Sequence, residues 1–150
     1  MWFDIPIYNG GSNLILVFAP AEPRRWYNVT ALCDTDADGR LFGIELLIYE
    51  EPEIALATLQ HQLHGFENVE VNDDGLLYIT LRREPRPSHA GFGRDAFVGI
   101  TKTGLLARVE IPWIALGAAT PVADPAKALA GLTFENGYPP LYPEDPEAER

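Results

Sequence analysis

Apolar positions along this chain recur mostly with a period of two, in short runs. Leu14-Ile15-Leu16-Val17-Phe18 stops at Pro20, which has no N–H to offer a central ladder. Tyr27, Val29, Ala31 and Cys33 alternate with Asn28, Thr30 and Leu32, so Tyr27–Asp34 reads as a strand with one apolar face. Asp38-Gly39 then marks a hairpin, because such a turn needs positive φ, and Leu41–Tyr49 is the returning strand. Strands at Leu76–Leu81, Asp95–Ile100 and Leu105–Ile111 follow in the same succession, and an opening strand is expected near Phe3–Tyr8.

The succession has the form of a duplication. Leu14-Ile15-Leu16-Val17-Phe18 lies over Leu76-Leu77-Tyr78-Ile79-Thr80 at an offset of 62. Asp38-Gly39-Arg40-Leu41-Phe42-Gly43-Ile44-Glu45-Leu46 lies over Thr103-Gly104-Leu105-Leu106-Ala107-Arg108-Val109-Glu110-Ile111 at an offset of 65. A three-residue insertion in the intervening loop accounts for the difference.

Between the copies the period lengthens. Ile54, Leu56, Leu59 and Leu63 form a helical stripe after Pro52 and its flanking glutamates, and Gly65 ends it, which predicts a linking helix over 52–63. Short helices are also expected near Ile114–Leu116 and Asp124–Leu132. The expected fold is α+β and mainly antiparallel β: two pseudo-symmetric three-stranded meander units, about 12–49 and 73–112, sharing one core. Residues 1–137 form the single β-rich domain, and the Pro-rich acidic stretch 138–150 is a tail.

The segment Asp34-Thr35-Asp36-Ala37-Asp38-Gly39-Arg40-Leu41-Phe42-Gly43-Ile44-Glu45-Leu46-Leu47 resembles the signature of a small bacterial family, domain of unknown function 2283. That family's upstream "Leu-Tyr-Ile" pattern stands in the second copy, at Leu77-Tyr78-Ile79. The resemblance implies a tandem of small β-rich domains. It carries no activity with it, and it implies at most a partner-binding role of the antitoxin-like kind.

Charge narrows the partners. With 11 basic against 22 acidic residues, the formal net charge is −11. Such a field repels phosphate backbones and anionic lipid, so neither nucleic acid nor membrane is an expected partner, whereas a basic protein is. Cys33 is the single cysteine, and the Met1-Trp2-Phe3-Asp4 start has no secretory pattern, so a reducing, cytoplasmic setting is expected. Cys33 alternates inward with Val29 and Ala31, as a core thiol would.

Several residue groups carry candidate chemistry. Asp34-x-Asp36-x-Asp38-Gly39-x5-Glu45 matches the EF-hand calcium loop by position. Strand-like residues flank it where that motif has helices, so the hairpin reading takes precedence and metal binding is the weaker alternative. His61 and His64, near Glu67 and Glu70, share a helical spacing but lack a third ligand. Glu45 and Glu110 are the repeated acids, each in an apolar strand, where they face solvent, a cation or a partner. With His89 they are the only candidates for general acid–base work. Arg24, Arg25, Arg82, Arg83, Arg86 and Arg94 account for six of the eleven basic residues. Five of these, with the aromatic Trp26, form the expected binding set: Arg24, Arg25, Trp26, Arg82, Arg83 and Arg86. Gly91-Phe92-Gly93-Arg94 reads as a flexible insertion and lacks the lysine and helix of a phosphate loop.

No cofactor is implied. Two function classes remain open. One is a non-enzymatic protein-binding or regulatory module, antitoxin-like or partner-capping. The other is a small enzyme or ligand-binding protein with a pocket between the two units. Exposed strand edges make a homodimer an expected assembly.

Overall fold

The computed structural model describes residues 1–10, 13–84, 90–112 and 132. Its strands are β1 (Ile7–Gly10), β2 (Asn13–Val17), β3 (Arg25–Thr35), β4 (Leu41–Leu47), β5 (Val69–Val71), β6 (Leu76–Thr80), β7 (Ala90–Ile100) and β8 (Leu106–Pro112). A 3-10 turn at Ile48–Glu50 and helix α1 (Leu56–Leu63) separate β4 from β5. The strands form one sheet in the order β1-β2-β8-β7-β3-β4-β6-β5, and each neighbouring pair is antiparallel.

Mainly antiparallel β structure with one linking helix is therefore as expected, but the meander is not. A meander would place β2 beside β3. Instead β2 pairs with β8, through Leu14↔Ile111 and Leu16↔Val109. Likewise β6 pairs with β4, through Leu77↔Leu46 and Ile79↔Ile44. The outer hairpins β1–β2 and β5–β6 thus each cap the hairpin built by the other part of the chain. The central contact is the long β3–β7 ladder, from Arg25↔Ile100 to Thr35↔Ala90. The offset of 62 is also corrected. It sets buried Leu14 over half-buried Leu76, whereas Leu77 and Ile79 are the β6 residues that join the core. One residue of slip exchanges the two faces of a strand.

Other boundaries move. The opening strand is Ile7–Gly10, not Phe3–Tyr8. The fourth strand ends at Leu47, and the seventh runs the full length from Ala90, so Gly91–Arg94 is ladder and not a flexible insertion. β5 has no counterpart in the sequence reading, since three residues carry too little pattern. The helix begins at Leu56, not residue 52, because separate turns at Glu51→Ile48 and Ile54→Glu51 take the preceding residues. The expected helices at Ile114–Leu116 and Asp124–Leu132 and the tail 138–150 lie outside the described residues, apart from Leu132, which packs against the core.

One turn is used three times. Asp36, Asn72 and Thr101 each donate their N–H to the residue four further on and accept a bond from a glycine N–H three further on. In each, the side-chain oxygen also accepts the N–H four residues on, at 3.0 Å for Asp36, Asn72 and Thr101 alike. Gly39, Gly75 and Gly104 hold φ of 79°, 83° and 89°, which L side chains rarely adopt. Two bulges follow the same economy. The ladder slips between Asp34 and Thr35 and again between Gly99 and Ile100. At the first, Arg82 Nε donates to the Leu41 carbonyl at 2.7 Å. At the second, the Gln62 amide accepts from Leu106 N–H at 2.7 Å and donates to its carbonyl at 2.9 Å. Side chains thus satisfy backbone groups that the slip leaves without ladder partners.

The core lies on the concave side. Leu14, Leu16, Val29, Ala31, Cys33, Ile44, Leu46, Leu77, Ile79, Val98, Val109 and Ile111 point into it, and Leu59 and Leu63 of α1 cover it. Each of the Leu, Ile and Val side chains among these contributes on the order of 1.5–3 kcal/mol by leaving water. The sheet curls enough for its two ends to meet through the N-terminal arm. Phe3 N–H donates to Asn68 Oδ1 at 2.7 Å, Asn68 Nδ2 donates to Phe3 O at 2.8 Å, and Glu67 N–H donates to Met1 O at 3.0 Å.

Candidate functional site

The convex side of the sheet carries the unusual surface. Residues directly opposite in an antiparallel ladder share a face, so two rows can be read across the strands. One runs Glu70, Tyr78, Glu45, Leu32, Gly93 over β5, β6, β4, β3 and β7. The other runs Asn28, Phe97, Glu110, Ile15, Tyr8 over β3, β7, β8, β2 and β1. Between them Thr30 faces Asp95, and one step beyond the second row Trp26 faces Gly99.

Leu32, Phe97 and Trp26 are 39%, 36% and 43% exposed, a cost that a monomer's sheet face does not require. Gly93 opposite Leu32 leaves it uncovered. Carboxylates lie among these apolar groups: Glu45 beside Leu32, Glu110 beside Phe97, Asp95 between the Leu32 and Phe97 rows, and Asp34 two residues beyond Leu32 on β3. Arg108 is the one cation on these rows among the described residues, beside Gly99. Tyr78 lies over Gly43, and its hydroxyl donates to Asp34 Oδ2 at 3.1 Å. Burial first, then the charge of Asp34 and its hydrogen bond, and then Glu45, push the Tyr78 phenol up to about 12. Glu50 reaches Thr30, accepting from its N–H at 2.6 Å and its hydroxyl at 3.2 Å.

Glu45 and Glu110 therefore face outward, but they do not meet. β3 and β7 lie between their strands, a gap of about 14 Å from strand spacing alone. That is too far for two carboxylates to work on one bond. The calcium-type residues are likewise dispersed in role. Asp34 is the next-to-last residue of β3 and accepts the Tyr78 hydroxyl. Asp36 is 2% exposed, and its carboxylate fastens its own turn, taking the N–H of Asp38 and Arg40 and the Arg40 guanidinium. Burial alone would raise its carboxyl, but the Arg40 N–H, the Arg40 guanidinium and the Asp38 N–H outweigh it and hold the pKa below the ordinary value. Among the described residues, no group of three or more His, Cys, Asp or Glu side chains is arranged to hold a metal.

The arginine clusters do not converge either. Arg24 and Arg25 line a hollow of about 390 Å³ with Lys102 and Glu53, at the start of β3. Arg82 and Arg83 line a cleft of about 660 Å³ with Arg40 and Trp2, beyond the far end of β3. Eleven strand residues, roughly 35 Å, separate the two ends. Trp26 turns to the convex face, away from the hollow's lining. Arg86 and His89 lie outside the described residues. Leu32, Tyr78 and Phe97 were absent from the sequence-derived site, although Leu32 already broke the polar side of its strand's alternation. Cys33 is buried in the core, and desolvation, partly offset by Arg94 and reinforced by Asp34, pushes its thiol up to about 12. No helix among the described residues is long and apolar enough to cross a membrane.

No family model matches the chain, and neither a curated protein nor a solved structure matches it.

Proposed function

We propose that this protein is a non-enzymatic binding module whose convex face, at the junction of β3 and β7, docks a basic protein segment. The observation that carries the reading is the set of exposed anchors Trp26, Leu32 and Phe97 on one face, interspersed with Asp34, Glu45, Asp95 and Glu110. Exposed aromatic and aliphatic anchors supply contact energy. These carboxylates, added to a net charge of −11, select and steer a partner of opposite sign. An antitoxin-like or partner-capping role is the natural use of such a face.

We infer, as part of the same reading, that the chain is a duplicated unit whose halves exchange hairpins. Leu32 and Glu45 recur as Phe97 and Glu110 at the offset of 65, in the same mutual register, and the two bulges fall 65 residues apart. Repetition of this kind places an anchor and an acid on both sides of the β3–β7 seam. The resemblance to domain of unknown function 2283 supports a tandem reading.

The test is titration with a synthetic peptide of alternating Lys/Arg and Leu/Phe, followed by calorimetry. Saturable binding that weakens at least ~10-fold in the Leu32→Ser/Phe97→Ser double variant, and that weakens further with salt, supports the face. Undiminished binding in that variant, or none in the native chain, refutes it. Thermal melting of the variant checks that the fold is retained, since both side chains are surface groups. Sedimentation in the same series separates a second copy of this chain from a foreign partner.

A further inference from the structure

On the other side of the molecule, beyond the ends of β4 and β6, three guanidinium groups line the cleft of about 660 Å³. Each is held differently. Arg82 is 9% exposed, with its Nε on the Leu41 carbonyl. Arg40 places Nε and Nη2 on Asp36 Oδ2 at 2.9 and 2.8 Å. Arg83 lies 4.6 Å from the ring centroid of Trp2 and makes no hydrogen bond or ion pair with the described residues.

The opposite wall is the N-terminal arm, and it is fastened. Buried Asn68 exchanges two hydrogen bonds with Phe3 and gives a third to Thr80 O at 3.2 Å. The wall therefore does not depend on a ligand for its position. It presents Trp2, one face of which Arg83 covers, together with the apolar side chains of Phe3, Ile5 and Ile7. A space of this size suits a small organic molecule.

Two carboxylates, Asp4 and Glu84, also line the cleft, and both are exposed. Water screens exposed charges far more than buried ones, which weakens Asp4, Glu84 and the exposed Arg83 alike. Burial and then the nearby Arg40 charge both act against the Arg82 cation, with Asp36 acting the other way.

We propose that the cleft binds a small organic oxyanion, with a phosphate or carboxylate group against Arg82 and Arg83 and an apolar body along Trp2. Planar guanidinium groups are suited to both oxyanions through paired N–H donors, and the indole supplies a flat face. This site is independent of the convex face, and neither stands or falls with the other.

The experiment is calorimetry and thermal melting of the full chain with inorganic phosphate, citrate and adenosine monophosphate, each against chloride at equal ionic strength. Saturable binding of at least one probe, with a raised melting temperature, is expected. Arg83→Ala and Trp2→Ala, which alter half-buried or exposed side chains, weaken it at least ~10-fold at unchanged intrinsic stability. Response to citrate alone identifies a carboxylate ligand, and response to phosphate and the nucleotide identifies a phosphate ligand. No response beyond chloride, or equal binding by Arg83→Ala, overturns the proposal.

Discussion

Tyr78 and Asp34 meet on the convex face through a hydrogen bond of 3.1 Å that passes over Gly43, the residue paired with Asp34 on β4. The tyrosine occupies the space a side chain would fill. A Cβ at position 43 would stand 2.1 Å from the Tyr78 hydroxyl oxygen and 2.7 Å from Cζ. The Gly-Ile-Glu run of the hairpin thus serves an aromatic residue on another strand.

Gly43→Ala is expected to expel the ring and cost about 2 kcal/mol, within the range for overpacking. Urea denaturation measures it, and Tyr78→Ala in the same background should recover part of the loss. Ultraviolet titration gives a second readout. The native phenol ionises near 12 against an ordinary 10.0, so the stability it contributes is complete below pH 10 and is lost as pH rises toward 12. Asp34→Asn removes the neighbouring charge and brings that ionisation down.

Asp36 gives the opposite pH signature. Its folded pKa lies below the ordinary 3.8, so its contribution is present above that value and disappears as pH falls through the lower one. Asp36→Asn keeps an oxygen for the turn N–H groups but loses the Arg40 ion pair, for an expected cost of about 1–3 kcal/mol near neutral pH. Denaturation at pH 6 and pH 3 should show a smaller acid loss in the variant than in the native chain. Thr101→Ala, at the corresponding place in the turn before β8, should destabilise without adding pH dependence.

The strand order has a consequence for folding. Residues 1–51 hold β2 and β4, whose partners β8 and β6 belong to residues 52–150. Expressed separately, the two pieces are expected to show little cooperative structure. Mixed, they should form a one-to-one complex with the native β-sheet circular dichroism spectrum. Cooperative melting by either fragment alone would contradict this.

Much of the local structure was legible. The glycines at 39 and 104 announced their turns, alternation separated Val29, Ala31 and Cys33 from Thr30, and Pro20 ended its strand. The linking helix showed through Leu59 and Leu63, although its first turn did not form where Pro52 and the glutamates pointed. The candidate sites were less legible. Trp26, Arg82 and Arg83 stand out by residue type alone, yet Trp26 shares a face with Leu32 and Phe97, and Arg82 shares a cleft with Arg40.

Local pattern depends on neighbours in the chain: a turn needs its glycine and an acceptor four residues away, and a strand face needs every second residue. Those requirements can be met, and read, within a few positions. The partner of a strand cannot be read so, because backbone N–H and C=O groups are alike on every strand, and any antiparallel neighbour satisfies them. Only packing of the whole core put β2 against β8 and β6 against β4. That choice in turn set Leu32 beside Glu45 and Phe97 beside Glu110, and brought Arg40, Arg82 and Trp2 around one cleft.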